Sequence, residues 1–313
     1  MSLKKQHITI IAGPTAVGKT DIALRLARKY KFEIISADSM QVYKYLDIGT
    51  AKASKEEHHE VRFHLIDCVA PDEQFDVAQF INLAEQAISD IRSRGNRPLL
   101  VGGTGMYIHS LIQGIFNEPG KDEAIRQRLE EEMRTKGLPA LHKKLTEMDP
   151  DAAARIHPSD RLRIIRALEV FHLTGKTITS LHEQSRKDGS RYDTTMIVLD
   201  RERADLYHRI DKRVDTMIER GLLDEVQKIL ALGYSTDCPG LQALGYKESI
   251  LYLSGRISFD EYVQLVKRNT RRYAKRQLTW FRNMPDIIWI KLDEQHEEAN
   301  QKKVEEYIAT FQD

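Results

Sequence analysis

One octapeptide constrains this chain more than any other feature: Gly13-Pro14-Thr15-Ala16-Val17-Gly18-Lys19-Thr20. It satisfies G-x-x-x-x-G-K-[ST] in full, which background residue frequencies would produce somewhere in the chain in roughly one per cent of cases. The apolar run HITIIA (7–12) precedes it and an amphipathic stretch from Thr20 to Lys29 follows. Strand, glycine turn and helix in that order make a phosphate cradle. Glycines let backbone N–H groups close on phosphate oxygens, and the positive end of the helix dipole adds attraction. Lys19 supplies a point charge, and the Thr20 hydroxyl can ligate Mg²⁺.

The surrounding pattern extends this unit into an α/β fold. EIISA (33–37), FHLIDCV (63–69) and RPLLVGG (97–103) read as further strands, and Phe75 to Arg94 as a helix with Ala78, Ile81, Ala84, Ile88 and Ile91 on one face. Strands alternating with helices predict a parallel sheet covered on both faces. From Asn117 to Arg191 the chain turns charged and helical, without a convincing strand, before TTMIVLD (194–200) and DIIWIKL (286–292) restore strand character. The expectation is a phosphate-loop core of residues 1–116 and 192–313, with an all-helical insertion over 117–191.

A phosphate loop says what is held, not what is done with it. The fourth strand runs into glycines, not into the carboxylate that completes the Mg²⁺ site of many ATPases and GTPases. There is no Asn-Lys-x-Asp motif for guanine. Asp38, just past the second strand, lies where ligands collect on a parallel sheet. It could bind metal, take a proton from a nucleophile, or simply cap a turn. A small-molecule kinase therefore stays open at this point, as does an RNA-binding module that senses nucleotide.

Among the 313 residues, 41% hydrophobic and 30% charged side chains describe an ordinary globular protein, and a net charge of +1 implies no partner. No apolar run is long enough to span a bilayer, and the N-terminal MSLKKQHITIIAG reads as a first strand, not a signal peptide. Cys68 and Cys238 are too few for a disulfide framework, so cytoplasmic residence is the expectation. His58, His59 and His64 lack zinc spacing and read as structural or surface residues. Local charge is more telling. KRNTRRYAKRQLTWFR (267–282) holds seven basic residues and no acid, with Arg268, Arg272 and Arg276 on one helical stripe and Lys267, Arg271 and Lys275 on its neighbour. Such one-sign runs suit phosphate chains. Arg163 and Arg166 form a second cluster.

These residues together resemble the tRNA dimethylallyltransferase family, bacterial type. The resemblance rests on GPTAVGKT (13–20), ISADSMQVYKYLDIGTAK (35–52), VGGTGMY (101–107), HPSDRLRIIRALEVF (157–171), QALGYKE (242–248) and KRQLTWFR (275–282). It implies transfer of a dimethylallyl group from its diphosphate to the exocyclic amine of the adenosine 3′ of the anticodon, with Mg²⁺ present. It also implies an insertion that grips the tRNA anticodon stem-loop. On this resemblance Gly13 to Thr20 would hold the donor diphosphate, with Thr20 on the metal, and Asp38 would meet the target amine. Ser39, Met40, Gln41 and Thr104 would touch neighbouring nucleotides, and Arg213 would reach the diphosphate. Arg126 and Leu162, Arg163, Ile164, Ile165 and Arg166 would be insertion-domain RNA contacts. The zinc finger of eukaryotic members has no counterpart in the cysteines here. A monomer is expected, and an enzyme acting on free adenine nucleotides stays open beside the tRNA enzyme.

Overall fold

The computed structural model describes residues 5–113, 120, 122–293 and 296–309. Met1–Ile112 with Tyr192–Asp313 form one compact unit, and Gln113–Arg191 a second. The expected start of the insertion, at 117, lies outside the described residues.

The first unit opens with β1 (His7–Ala12), α1 (Lys19–Tyr30), β2 (Phe32–Ala37), α2 (Lys55–Glu60), β3 (Phe63–His64), α3 (Val77–Ser93), β4 (Arg97–Gly102) and α4 (Gly105–Gln113). The second unit contains α5 (Glu123–Lys136), α6 (Leu138–Met148), α7 (Pro150–Arg155), α8 (Arg161–Thr174) and α9 (Ile178–Asp188). The chain then returns through β5 (Asp193–Arg201), α10 (Arg203–Glu219), α11 (Leu222–Ala231), α12 (Tyr246–Leu253), α13 (Phe259–Arg282), β6 (Ile288–Leu292) and α14 (Glu297–Ala309).

Six strands form one sheet in the order β3-β2-β4-β1-β5-β6, every neighbouring pair parallel. Parallel neighbours require crossovers, and helices on both faces bury the strands twice over. That is why β1, β2 and β4 read as unbroken apolar runs: β2 is buried along its whole length, and β1 and β4 everywhere after the first residue. β1 lies between β4 and β5, while the chain leaves it for β2 on one side and later reaches β5 on the other. Loops after β1, β2 and β4 therefore splay apart around a crevice, the usual place for a ligand in such sheets.

The strand expected over 63–69 is corrected to two residues. Leu65 (φ 61°) and Asp67 (φ 56°) adopt left-handed backbone, which breaks the ladder, and only an isolated bridge between Tyr43 and Val69 resumes it. Helix α13 is the longest. Ser258 and Glu261 form a capping box at its start, and Tyr262, Val266, Ala274, Gln277 and Phe281 face the core. Asp76 caps α3 in the same way with Gln79. In the second unit, Leu129, Leu141, Leu145, Ile164 and Leu168 make a separate hydrophobic core.

A buried carboxylate fastens the start of β2. Glu33 accepts hydrogen bonds from Arg94 (2.7 and 3.1 Å) and Asn96 (2.7 Å), and His64 Nε2 lies 2.7 Å away. Burial alone would raise its pKa, but the hydrogen bonds from Arg94, Asn96 and His64 prevail and hold it at about 2. A carboxylate with a depressed folded pKa stabilises above its unfolded value, 4.5, and that stability fades as pH falls toward 2. Glu33→Gln should therefore cost about 1–3 kcal/mol at pH 7 in urea unfolding. The gap to wild type should narrow progressively below pH 4.5. A gap that does not depend on pH would mean that the charge of Glu33 contributes nothing.

Candidate active site

The crevice at the C-terminal ends of β1, β2 and β4 is a cavity of about 690 Å³ lined by the phosphate loop, the segment after β2, and faces of α10 and α13. The loop keeps its shape because the carbonyls of Gly13, Pro14, Ala16 and Val17 all accept hydrogen bonds from side chains. Lys19 Nζ donates to the carbonyls of Gly13 (3.0 Å) and Pro14 (2.7 Å). Arg209 Nε donates to Ala16 O (3.1 Å) and Arg201 Nε to Val17 O (2.9 Å). Ala16 (φ 64°) and Gly18 (φ 108°) lie in the left-handed region, so the loop winds tightly into the first turn of α1. Gly18 meets that demand without a Cβ, at the point where α1 begins.

Two cations, Lys19 and Arg213, line the cavity, and Asp38 acts on both through its charge. Burial lowers the Lys19 pKa to about 7, with Arg213 adding to the fall and Asp38 opposing it. Burial likewise lowers Arg213, against the pull of Asp38 and Asp21. Both shifts have one physical meaning: the cleft strains its own positive charges, and a bound anion would relieve them. The described lining residues include two carboxylates, Asp21 and Asp38, against seven Lys or Arg side chains. That balance suits a polyanionic ligand.

Of the three roles that the position of Asp38 left open, its hydrogen bonds show the turn cap. Its Oδ1 accepts from the N–H groups of Met40 (2.8 Å) and Gln41 (3.3 Å), capping the turn after β2. No hydrogen bond to Oδ2 is present among the described residues. Asp38 lines the cavity and influences Lys19 and Arg213 through its charge. The turn is stitched to the one after β4: Ser39 N–H donates to Thr104 Oγ1 (3.1 Å) and Thr104 N–H to Ala37 O (3.1 Å). Ser39, Met40 and Gln41 line the cavity as well, though the Gln41 amide is engaged by Ser36 (2.8 Å) and by the Thr50 carbonyl (3.3 Å). Behind this segment, Glu225 accepts from Ile48 N–H (2.8 Å) and from the Tyr246 hydroxyl (2.5 Å), fixing the loop against α11 and α12.

Some expected residues take other roles. Ile164 and Ile165 are buried in the core of the second unit, so their side chains pack and do not reach a ligand. Arg126 and Arg166 both hold the fully buried Glu169, at 2.9 and 2.8 Å. Leu162 is 78% exposed, and Arg163 is exposed beside Asp160. On α13, Lys267 pairs with Asp215 (2.6 Å) and Arg271 with Asp211 (2.5 Å) on α10, so one of the two basic stripes mostly joins helices. The exposed cations of α13 are Arg268, Arg272, Lys275, Arg276 and Arg282, with Arg276 stacked over Tyr273.

Sequence reasoning passed over Arg201, Arg209 and Gln277. Gln277 Oε1 accepts from Thr15 N–H and its Nε2 donates to Gly103 O, both at 2.9 Å. The signal was present: a lone amide on the buried stripe of a charged helix must find partners. Tyr273 lines the cavity too, its hydroxyl pushed up to about 12 by burial and then by the Asp38 charge.

The IPP transferase family model matches residues 41–284. A tRNA dimethylallyltransferase of Acetivibrio thermocellus is 48% identical over 307 residues, 97% of this chain and 98% of that protein. One from Geobacter sulfurreducens is 50% identical over 287 residues, 92% of each. Among solved structures, the tRNA isopentenylpyrophosphate transferase of Bacillus halodurans aligns at a TM-score of 0.71 and 44% identity, over 98% of this chain and 96% of that one. A eukaryotic dimethylallyltransferase acting on tRNA aligns at 0.82 and 30% identity, over 97% and 80%. The family match begins after the phosphate loop and Asp38, so those residues stand on their motif and geometry. With a model spanning most of its length and relatives near half identical over nearly all of it, the chain belongs to the IPP transferase family.

Proposed function

We propose that this chain transfers a dimethylallyl group from dimethylallyl diphosphate to the exocyclic N6 amine of the adenosine immediately 3′ of the anticodon in tRNA, releasing pyrophosphate. The observation that carries this reading is one cleft with half-buried cations, Lys19 and Arg213, on its loop side and a carboxylate, Asp38, at the end of β2.

An adenine amine is a weak nucleophile because its lone pair is delocalised into the ring. An allylic diphosphate is a good electrophile once its leaving group is stabilised. The loop N–H groups, Lys19 and Arg213 would meet the charge that develops on pyrophosphate. Asp38, through the oxygen not bound to the turn, would accept an amine proton as the C–N bond forms. The target base would leave its stack to enter the cleft. Thr104 and the segment from Ser39 to Gln41 would contact it and its neighbours. The exposed Arg268, Arg272 and Lys275 would meet phosphates, as would Arg163 in the second unit.

The donor set also fits Mg²⁺, an ion that keeps most of its shell as water and phosphate oxygen and needs few protein ligands. Among the described residues no cluster of three or more His, Cys, Asp or Glu could cage a metal, while Thr20 is exposed to the cavity at the first turn of α1. Thr20 would hold the ion, which supplies charge neutralisation at the diphosphate when bound. No helix among the described residues is long and apolar enough to cross a membrane. We place the chain in the cytoplasm as a monomer.

The test is transfer of radiolabelled dimethylallyl diphosphate to an anticodon stem-loop RNA, run beside AMP and an RNA with the target adenosine replaced. Label on the intact stem-loop alone supports the reading; label on AMP alone would establish a free-nucleotide enzyme, and no transfer to either would restore the kinase.

Asp38→Ala should lower kcat by about 10²–10⁴-fold, with folding and RNA affinity little changed. Near-normal turnover would remove Asp38 from the chemistry. Lys19→Ala should cost roughly 2.7–4 kcal/mol of transition-state stabilisation, comparable to loss of one oxyanion donor. Its pH behaviour is a separate check. The free Lys19 titrates at about 7 and a bound anion favours its ammonium form, so anion binding above pH 7 must take up protons. Calorimetry of pyrophosphate binding at pH 8 should reveal about one more proton taken up by wild type than by Lys19→Arg, whose guanidinium is always charged. At pH 6 the difference should vanish. Equal uptake at pH 8 would show that Lys19 is already charged in the free cleft.

A further inference from the structure

The phosphate loop and the glycine turn after β4 meet through one side chain. Gln277 is 6% exposed, and its amide is satisfied at both ends, by Thr15 N–H on one side and Gly103 O on the other. The contact has no slack: a Cβ on Gly103 would lie 2.1 Å from Gln277 Nε2 and 3.2 Å from Gly13 O. Gly103 is followed directly by Thr104, which holds the backbone of Ser39 beside Asp38. The diphosphate side of the cleft is therefore tied to its carboxylate side through the Gln277 amide. A buried amide with both partners in place holds its geometry, and the register of the two turns with it.

We propose that Gln277 is a positioning residue that fixes the distance between the donor cradle and the acceptor side, so that the allylic carbon meets the adenine amine and not water. The inference rests on the prenyl-transfer reading above. In transfer, the amine nitrogen bonds to the allylic carbon, the C–O bond breaks with its electron pair leaving on pyrophosphate, and one amine proton passes to Asp38. With the two turns out of register, water attacks the same carbon. That breaks the same C–O bond and yields dimethylallyl alcohol, pyrophosphate and a proton. Gln277 touches none of the reacting atoms and acts through Thr15 and Gly103.

Three variants test this. Gln277→Met keeps the bulk and loses both hydrogen bonds. Gln277→Glu, when ionised, keeps the acceptor for Thr15 and loses the donor for Gly103. Gly103→Ala presses on the amide from the other side. Each is assayed for transfer to stem-loop RNA, for donor KM, and for the ratio of labelled alcohol to labelled RNA. Gln277→Met should lose on the order of 10²-fold in kcat, the cost of a misplacement of about 1 Å by a group remote from the chemistry, while donor KM barely moves. Gln277→Glu should fall between it and wild type, and the alcohol ratio should rise in all three. Where Gln277→Met does not fold, the ratio in the other two decides. A merely structural role would lower the melting temperature and the active fraction but leave the alcohol ratio at its wild-type value. That result, or a wild-type kcat in Gln277→Met, overturns the proposal. Wild-type enzyme that transfers no label at all overturns the prenyl reading and this inference together.

Discussion

Between Gly13 and Gly18 the backbone has to present its N–H groups to a cavity without leaving its carbonyls stranded. Lys19, Arg201 and Arg209 take the carbonyls of Gly13, Pro14, Ala16 and Val17. Gln277 takes the Thr15 N–H and donates in turn to Gly103 O after β4. Three of these partners come from parts of the chain nearly two hundred residues or more away, so the loop is shaped by the sheet that closes around it. β5 delivers Arg201, α10 delivers Arg209, and α13 delivers Gln277. The parallel order of the sheet places all three around the end of β1.

The electrostatics follow from that enclosure. Lys19 and Arg213 are drawn down because protein replaces water around them, and Arg213 lowers Lys19 further. A cleft of this kind is preorganised for an anion: the cost of desolvating its cations was met on folding, and the ligand restores their preferred state. Asp38 is close enough to temper both charges, yet its backbone-capping oxygen holds it in the turn. One carboxylate can thus be rigid and still offer an oxygen to a substrate. The stability of the scaffold lies elsewhere, in the doubly covered strands and in the Glu33 network at the opposite end of β2.

Much of this was legible in the chain. The loop motif, six strands and the helical character of the middle segment follow from periodicity and glycine placement, because parallel strands buried on both faces are unbroken apolar runs. Residues 63–69 misled for a physical reason. FHLIDCV has the composition of a strand, but Leu65 and Asp67 adopt left-handed backbone that composition does not announce. Helical arithmetic found the cations of α13, yet it could not foresee that Lys267 and Arg271 would be neutralised by Asp215 and Asp211, since α10 meets α13 only in the folded state. The resemblance offered Arg126 and Arg166 as RNA contacts; the structure adds that both hold Glu169, a buried acid whose burial no local pattern reveals. Gln277 was hidden among basic neighbours, although its place on the apolar stripe marked it as a residue with internal partners.

The most direct measurement is a structure of the chain with an anticodon stem-loop and an unreactive thio analogue of dimethylallyl diphosphate. The diphosphate is predicted on the N–H groups of the 13–20 loop with Lys19 and Arg213. The exocyclic amine of the adenosine 3′ of the anticodon is predicted within hydrogen-bond distance, about 3 Å, of the Asp38 carboxylate. A diphosphate bound away from the loop, or an adenine that stays stacked in the RNA with Asp38 facing only its turn, would contradict the assignment.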